Sequence, residues 1–164
     1  MEKVKKMSKI FNSVVVSALG RTPIHYQLQA SKEECLKLSE RFDVPQILSL
    51  KAEISLFRDD FVHVKGKILA HMCRQSVVSL KKITEQMDET FDVLFSEPPI
   101  PETDEIVDEI HQGRIDLGEV ISEQFGLALN PFPHAPDEKE GYVYMEEDSS
   151  SNLSFKNLSK IIKK

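Results

Sequence analysis

Two alternating runs of apolar residues, separated by a short acidic turn, are the feature that most constrains how this chain can fold. Apolar side chains occupy every second position of the first run: Leu48, Leu50, Ala52, Ile54 and Leu56. The second run places these apolar side chains on one face: Val62, Val64, Ile68, Ala70 and Met72. Asp59 and Asp60 lie between the runs. Because successive side chains of a strand point to opposite faces, the pattern predicts a long antiparallel β-hairpin.

Two helices are predicted from capping residues and apolar spacing. Ser31 and Glu34 have the spacing of a capping box, and the apolar positions that follow end before Pro45. These positions are Cys35, Leu38 and Phe42. Asp116 and Glu119 repeat the capping spacing, and the helix that follows ends at Pro131 and Pro133. Its predicted apolar face consists of Leu117, Val120, Ile121, Phe125 and Ala128.

Together with the remaining segments, these elements predict the α+β fold class, with an antiparallel sheet packed by two or three helices. Further strand segments are expected at Val77, Val78 and Leu80, and at Phe91, Val93 and Phe95. Residues 84–90 are compatible with a bend, a loop or a continued strand. Residues 96–113 contain three prolines and six carboxylates, which indicates an exposed, flexible acidic loop.

The chain of 164 residues has the length of one domain, here residues 1–136. Residues 137–164 are predicted to be an acidic, Ser-rich tether that ends in a short helix with Phe155, Leu158 and Ile161. The amino-terminal lysines and the following apolar stretch faintly resemble a secretory signal. Asn12, Ser13 and Ser17 interrupt that stretch, and Val14–Val16 are equally typical of a first strand. A cytoplasmic location is therefore expected.

Charge and cysteine content exclude several classes of protein. The chain has 21 Lys and Arg against 27 Asp and Glu, a net charge of −6. This balance argues against a clamp that binds nucleic acid through general positive charge, which needs a basic domain. Two cysteines, Cys35 and Cys73, cannot form a disulfide framework and suit a reducing compartment. No apolar run approaches the roughly 20 residues that span a bilayer.

Sequence motifs give no support for an enzyme. Nucleophile-elbow, phosphate-loop and zinc-protease motifs are absent from the sequence, and its six glycines are scattered. His71 and Cys73 would project from the same strand face, but a structural zinc site needs four ligands. The others would have to come from Cys35, His63 or remote residues. The sequence therefore predicts a non-enzymatic protein with no cofactor and no metal.

The polar face of the predicted hairpin is the candidate binding surface. It and its continuation carry these basic residues: Lys51, His63, Lys65, Lys67, His71, Arg74, Lys81 and Lys82. Such a row can contact phosphates and position an RNA without reading its bases. Lysines on a solvated strand face also protect a sheet edge against aggregation. Both interpretations remain open at the level of sequence.

Several motifs, taken in order, resemble those of the bacterial YceD family, the large ribosomal RNA subunit accumulation proteins. A strand with Gly66 leads to a turn with Cys73 and then to Val77-Val78-Ser79-Leu80 and Phe91-Asp92-Val93-Leu94-Phe95. The sequence Ile115-Asp116-Leu117-Gly118-Glu119 is similar to a second family motif. Its later positions correspond to Glu123, Leu127, Leu129 and Pro133. The resemblance covers most of the chain, with the acidic loop and residues 137–152 as variable parts.

One position departs from the family pattern. Many members have Cys-x-x-Cys in the turn, whereas this chain has Cys73 and Ser76. A metal or redox role of that pair would therefore be lost here. The usual Glu-Pro after the leucine is replaced by Lys81-Lys82, which makes this segment more basic. Glu123 is expected to join the helix to the sheet by reaching a backbone amide or a lysine.

The resemblance implies a cytoplasmic bacterial factor that supports accumulation of large-subunit ribosomal RNA during ribosome biogenesis. Its partner would be that RNA, an assembly intermediate or a ribosomal protein, with no membrane involved and the oligomeric state open. The alternative is a protein-interaction module that holds a basic ribosomal protein without touching RNA.

Overall fold

The computed structural model describes residues 4–136 and residue 138. These residues divide into two compact units. The first contains residues 4–73 and 84–129, and the second contains residues 74–83, 130–136 and 138. Except for Glu138, the tether predicted over residues 137–164 lies outside the described residues, and so does its closing helix with Phe155, Leu158 and Ile161. The predicted domain boundary after residue 136 stays a prediction.

The fold is mixed α+β, with a six-stranded sheet, a two-stranded sheet and two α-helices in the described part of the chain. The larger sheet has the strand order β1-β3-β4-β5-β6-β7, and β2 pairs with β8. The strands are β1 (Val4–Met7), β2 (Ser13–Val15), β3 (Ile24–Gln29), β4 (Gln46–Arg58), β5 (Val62–Gln75), β6 (Lys82–Ser96), β7 (Val107–Glu109) and β8 (Arg114–Asp116). The helices are α1 (Lys32–Phe42) and α2 (Leu117–Ala128).

The sheet is mixed, so the prediction of an antiparallel sheet is confirmed for β3, β4 and β5 and is wrong for β1 and β7. β1 runs parallel to β3, and β7 runs parallel to β6, whereas β3, β4 and β5 pair antiparallel. Residues 8–23 separate β1 from β3, which is long enough for the crossover that parallel neighbours require. Strand direction depends on these connections, and residue alternation carries no information about it.

The two long central strands, β4 and β5, pair antiparallel from Gln46↔Cys73 to Arg58↔Val62. The register shifts between Ile47 and Ser49, so a β-bulge interrupts the alternation. Ile47 is buried, whereas Leu48 is 51% exposed. The prediction that Leu48 lies on the buried face is therefore wrong, and the other predicted inward positions of both strands are buried.

Residues 84–90 belong to the long strand β6, which also contains Phe91, Val93 and Phe95. Of the three predicted alternatives, bend, loop or continued strand, the continued strand is therefore confirmed.

The strand predicted at Val77, Val78 and Leu80 is wrong, because residues 77–79 form a turn. Leu80 adopts the left-handed backbone conformation with φ of 64°, and its side chain is 68% exposed. Regular strand backbone has a negative φ, so Leu80 does not continue a strand. The acidic segment 96–113 also differs from a simple exposed loop, since it contains β7 and the buried Ile110.

The predicted capping box is present at the start of α1, and its Glu34 side chain also bonds to the amino-terminal segment. The Ser31 hydroxyl accepts a hydrogen bond from the Glu34 amide, and the Glu34 carboxylate accepts one from the Ser31 amide. The same carboxylate also accepts hydrogen bonds from the amides of Ile10 and Phe11, both at 3.0 Å. Glu34 is buried and thus joins the helix to the amino-terminal segment.

Helix α2 packs through the predicted apolar face, and its glycines bring aromatic rings close. Asp116 Oδ1 accepts hydrogen bonds from the amides of Gly118 and Glu119, so the predicted cap is present. A Cβ on Gly118 would lie 2.3 Å from the Phe11 ring, and one on Gly126 would lie 2.4 Å from the Phe42 ring. These rings therefore occupy space that any larger residue would need.

The first unit has one buried and one open sheet face. Inward side chains of β3, β4 and β5 form one core cluster with residues of both helices, including Leu38, Ile121 and Phe125. The opposite face of the two central strands, called the outer face below, is exposed or half-buried. The outer face comprises Lys51, Glu53, Ser55 and Phe57 of β4, and His63, Lys65, Lys67, Leu69 and His71 of β5. No described helix is long and apolar enough to cross a bilayer.

Candidate functional site

The outer face brings together five of the eight predicted basic residues. Strand alternation points them all away from the core: Lys51, His63, Lys65, Lys67 and His71. In the β4–β5 register, Ser55 is opposite Lys65, Glu53 is opposite Lys67, and Lys51 is opposite Leu69. The predicted hairpin face is therefore a real surface of the first unit.

Carboxylates of the neighbouring strand β6 accompany the lysines of the outer face. Lys67 Nζ lies 3.6 Å from Asp88 Oδ1, and Lys65 Nζ lies 4.0 Å from Asp92 Oδ2. The four side chains are between 43% and 62% exposed, so each pair stabilises the fold by about 1 kcal/mol at most. These lysines can therefore exchange an aspartate for another anion at low cost.

A stacked aromatic pair, Phe57 and His63, stands at the hairpin end of the outer face. The ring centroids are 4.3 Å apart and the ring planes differ by 6°. Asp59 Oδ1 lies 2.9 Å from His63 Nε2 and accepts a hydrogen bond from the Phe61 amide. The Phe61 amide and the His63 side chain lower the pKa of Asp59. Sequence reasoning missed Phe57, although it continues the outward alternation of Lys51, Glu53 and Ser55.

His71 and Cys73 lie on the same side of β5, but each contacts a different residue. His71 Nε2 is 2.6 Å from the Gln86 amide nitrogen, and Cys73 Sγ is 4.0 Å from Gln46 Oε1. Cys35 is buried within the helix–sheet core, and this burial raises the pKa of its thiol. Within residues 4–136 and 138, no group of three or more metal-ligating side chains is assembled.

Arg74, Lys81 and Lys82, the other three predicted basic residues, belong to the second unit. Arg74 donates a hydrogen bond to the Asn130 carbonyl oxygen, and Lys81 and Lys82 are exposed. The sequence row of eight basic residues is therefore divided between the units.

Ser76, which the sequence comparison predicts to replace a second cysteine, organises the turn of the second unit. It is fully buried, and its hydroxyl accepts hydrogen bonds from the amides of Val78 and Ser79. The Ser76 hydroxyl donates to Glu138, which also accepts from the Ala135 amide. The hydroxyls of Ser76 and Ser79, followed by the Ala135 amide, lower the pKa of Glu138 to about 2. Ser76 therefore acts here as a structural turn residue.

Several other positions of the predicted family motifs have structural contacts. Gly66 faces the Phe91 ring, Leu117 is fully buried, and Pro133 accepts a hydrogen bond from the Val77 amide. Leu129 is half-buried, but Leu127 is 79% exposed and thus has no place in the core.

Glu119 and Glu123 differ from their predicted contacts. The Glu119 carboxylate does not complete a capping box with Asp116. It forms a bidentate ion pair with the Arg41 guanidinium instead, at 2.9 and 3.3 Å. Glu123 is exposed, and no hydrogen bond to a backbone amide or a lysine is present for it among the described residues. Desolvation, followed by the charges of Glu119 and Asp108, raises the pKa of Glu123.

Glu123 lines a cavity of about 560 Å³ beside α2. Phe95, Ile115 and Val120 provide apolar walls, and the rim carries the carboxylates of Asp108, Glu109, Asp116, Glu119 and Glu123. His111 and Arg114 are also on the rim. The cavity is thus apolar at its base and mainly negative at its edge.

Comparisons with protein-family models, with curated proteins and with solved structures find no match for this chain. The resemblance to the YceD family therefore stays a prediction from the sequence. The geometry of the outer face and of the acidic cavity provides the independent basis for a functional proposal.

Proposed function

We propose that this protein is a non-enzymatic factor that supports accumulation of large-subunit ribosomal RNA, and that it binds RNA through the outer face. The observation that carries the proposal is the outer face of the sheet, with Lys65 and Lys67 at alternate positions of β5 and Lys51 diagonal to Lys67 on β4. The family resemblance supplies the biological process. An exposed sheet face with lysines and aromatic rings is a common platform for unpaired RNA.

The proposed binding is local, in agreement with the net charge of −6. Lys65 and Lys67 would leave Asp92 and Asp88 for RNA phosphates, while the remaining acidic surface opposes nonspecific attachment. Binding through phosphates releases counterions, so the affinity should fall as the salt concentration rises. The protein would in this way protect or order an assembly intermediate.

A charge-reversal experiment tests the RNA contact. The variant Lys65→Glu/Lys67→Glu should lose binding to a large-subunit ribosomal RNA fragment in a filter or fluorescence assay. The control, Lys32→Glu/Lys37→Glu, changes the same charge at exposed positions of α1 and should keep most of the affinity. Equal affinity of the two variants would remove the outer face from consideration.

Depletion of the protein in its own cell tests the biological role. The ratio of large- to small-subunit ribosomal RNA should fall, because the large-subunit RNA would lose its binding factor. An unchanged ratio would contradict the proposed process, whatever the protein binds in vitro.

The acidic cavity favours a second candidate, a module that holds a basic ribosomal protein before assembly. A lysine or arginine of such a partner could rest its aliphatic part on Val120 and place its charge near Asp108 and Glu123. Asp108→Asn/Glu123→Gln should then weaken binding to basic ribosomal proteins and leave RNA binding unchanged. If the variant binds basic ribosomal proteins as tightly as the native protein does, the cavity is not their binding site and the RNA-binding proposal is favoured.

A further inference from the structure

The stacked rings of Phe57 and His63 give the outer face a feature that charge alone does not explain. We propose that this pair, with Lys65, forms a stacking site for an unpaired RNA base. This inference rests on the proposed function, since it specifies the RNA that the outer face would recognise. It predicts preference for single-stranded over duplex RNA.

The pair is held in place before any ligand binds. Phe57 and His63 are directly opposite each other in the β4–β5 register, and their rings are nearly parallel. Asp59 contacts the His63 ring and is itself bound to the Phe61 amide in the hairpin turn. Because these contacts already orient the rings, stacking of a base there costs little conformational entropy of the protein.

Lys65 connects the ring pair with the rest of the outer face. Its Nζ lies 5.7 Å from the centroid of the Phe57 ring and 4.0 Å from Asp92 Oδ2. The Nζ atom lies over the Phe57 ring, but the side chain is 52% exposed, so it can move from the ring and the aspartate to a phosphate and leave the ring face to the base. The positive charge that a nucleotide needs therefore lies beside the rings on which its base would stack.

A shallow depression of about 400 Å³ continues the surface from Lys65. Residues of four adjacent strands line it, and Gln27, Ser55 and Lys67 add polar groups that can hydrogen-bond to a nucleotide. Ser55 and Phe57 are alternate residues of β4, about 7 Å apart along the strand. The stack and the depression are therefore close enough for neighbouring nucleotides of one strand.

An unpaired strand fits this arrangement better than a duplex. Bases in a duplex are stacked on each other, whereas an unpaired base offers its face to an aromatic ring. Stacking on aromatic side chains tolerates any base, and lysine contacts tolerate any sequence. The expected ligand is thus a single-stranded loop or end of an RNA. It would be recognised through the exposed faces of its bases, whatever the identity of those bases.

The test uses the full chain and a single-stranded RNA oligonucleotide that contains 2-aminopurine, whose fluorescence falls when the base stacks. The native protein should quench the fluorescence. Phe57→Leu, which keeps an apolar side chain but removes the ring, should weaken binding about 5- to 150-fold and abolish the quenching. Phe57→Tyr keeps the ring and should bind nearly as well as the native protein.

Two further variants keep the test independent of folding. If Phe57→Leu unfolds at lower urea concentration, His63→Gln serves instead, because it removes the second ring and retains a hydrogen-bonding group for Asp59. Lys65→Gln should weaken binding and reduce its dependence on salt, whereas Lys37→Gln on α1 should change neither.

The outcomes separate this inference from the function on which it rests. If the native protein binds single-stranded RNA and the ring variants bind equally well with unchanged quenching, the stacking site is refuted while RNA binding stands. Equal affinity for duplex and single-stranded RNA also refutes it. If the native protein binds neither RNA but binds a basic ribosomal protein, both the stacking site and the RNA contact are refuted.

Discussion

Replacement of Glu34 by alanine would test whether one buried carboxylate holds the amino-terminal segment to the helix–sheet core. Glu34 accepts hydrogen bonds from three backbone amides, those of Ser31, Ile10 and Phe11, at 2.9–3.0 Å. The bond to Ile10 is buried, and the other two are partly buried. Glu34→Ala therefore leaves one buried donor and two partly hydrated donors without their acceptor.

The expected cost follows from these bonds. An unsatisfied buried amide costs about 1–3 kcal/mol, and each partly buried bond contributes about 0.5–1.5 kcal/mol. Glu34→Ala should therefore lower the free energy of unfolding by about 2–6 kcal/mol. The control Ser31→Ala removes only the hydroxyl cap of α1 and should cost about 1 kcal/mol. Urea unfolding at pH 7, followed by circular dichroism, measures both values.

The same carboxylate gives the effect a pH dependence. Burial raises the pKa of Glu34, but hydrogen bonds from the amides of Ser31, Ile10 and Phe11 outweigh it, so the pKa lies below its ordinary value of 4.5. A lowered pKa in the folded state means that the stabilisation is complete above pH 4.5 and is lost as the pH falls through the lower, folded-state value. The difference between the native protein and Glu34→Ala should shrink there. An equal cost of Glu34→Ala and Ser31→Ala, or a difference independent of pH, would refute this account.

Three other changes have definite expected outcomes. Gly66→Ala should lower the unfolding free energy by about 1–3 kcal/mol, because its Cβ would lie 2.6 Å from the Phe91 ring; Gly20→Ala, with nothing within 4 Å, is the control in the same urea assay. Phe125→Ala should cost about 3–5 kcal/mol because the ring is fully buried, whereas Leu127→Ala on the same helix should change stability by less than about 0.5 kcal/mol. The carboxyl carbon of Glu138 should titrate by NMR near pH 2, and Ser76→Ala should move its midpoint toward 4.5.

The structure also explains which sequence patterns were informative. Ser31 and Glu34 predicted the start of α1 because capping is local chemistry between residues three apart. Alternation predicted the outward placement of Lys65 and Lys67 for a similar reason, since strand geometry repeats every two residues. The bulge at Leu48 escaped prediction because it depends on how β4 pairs with β5.

The parts of the candidate site that sequence reasoning missed all depend on contacts between distant segments. Phe57 became a site residue only because the strand register places His63 opposite it. The acidic cavity joins Asp108 of β7 to Glu123 of α2, and no local pattern indicates that these carboxylates share a surface. Ser76 looked like a lost cysteine, whereas its burial and its bond to Glu138 reveal a turn residue.

The sequence by itself determined the capped helices, the alternating faces of the long strands and the basic residues on one of those faces. Each of these properties arises from backbone geometry within a few residues, so the order of side chains is sufficient to specify it. Only the tertiary structure decided the mixed strand directions, the division of the basic row between two units and the ring pair beside Lys65. These features arise from the pairing of segments far apart in the chain, which local periodicity does not encode.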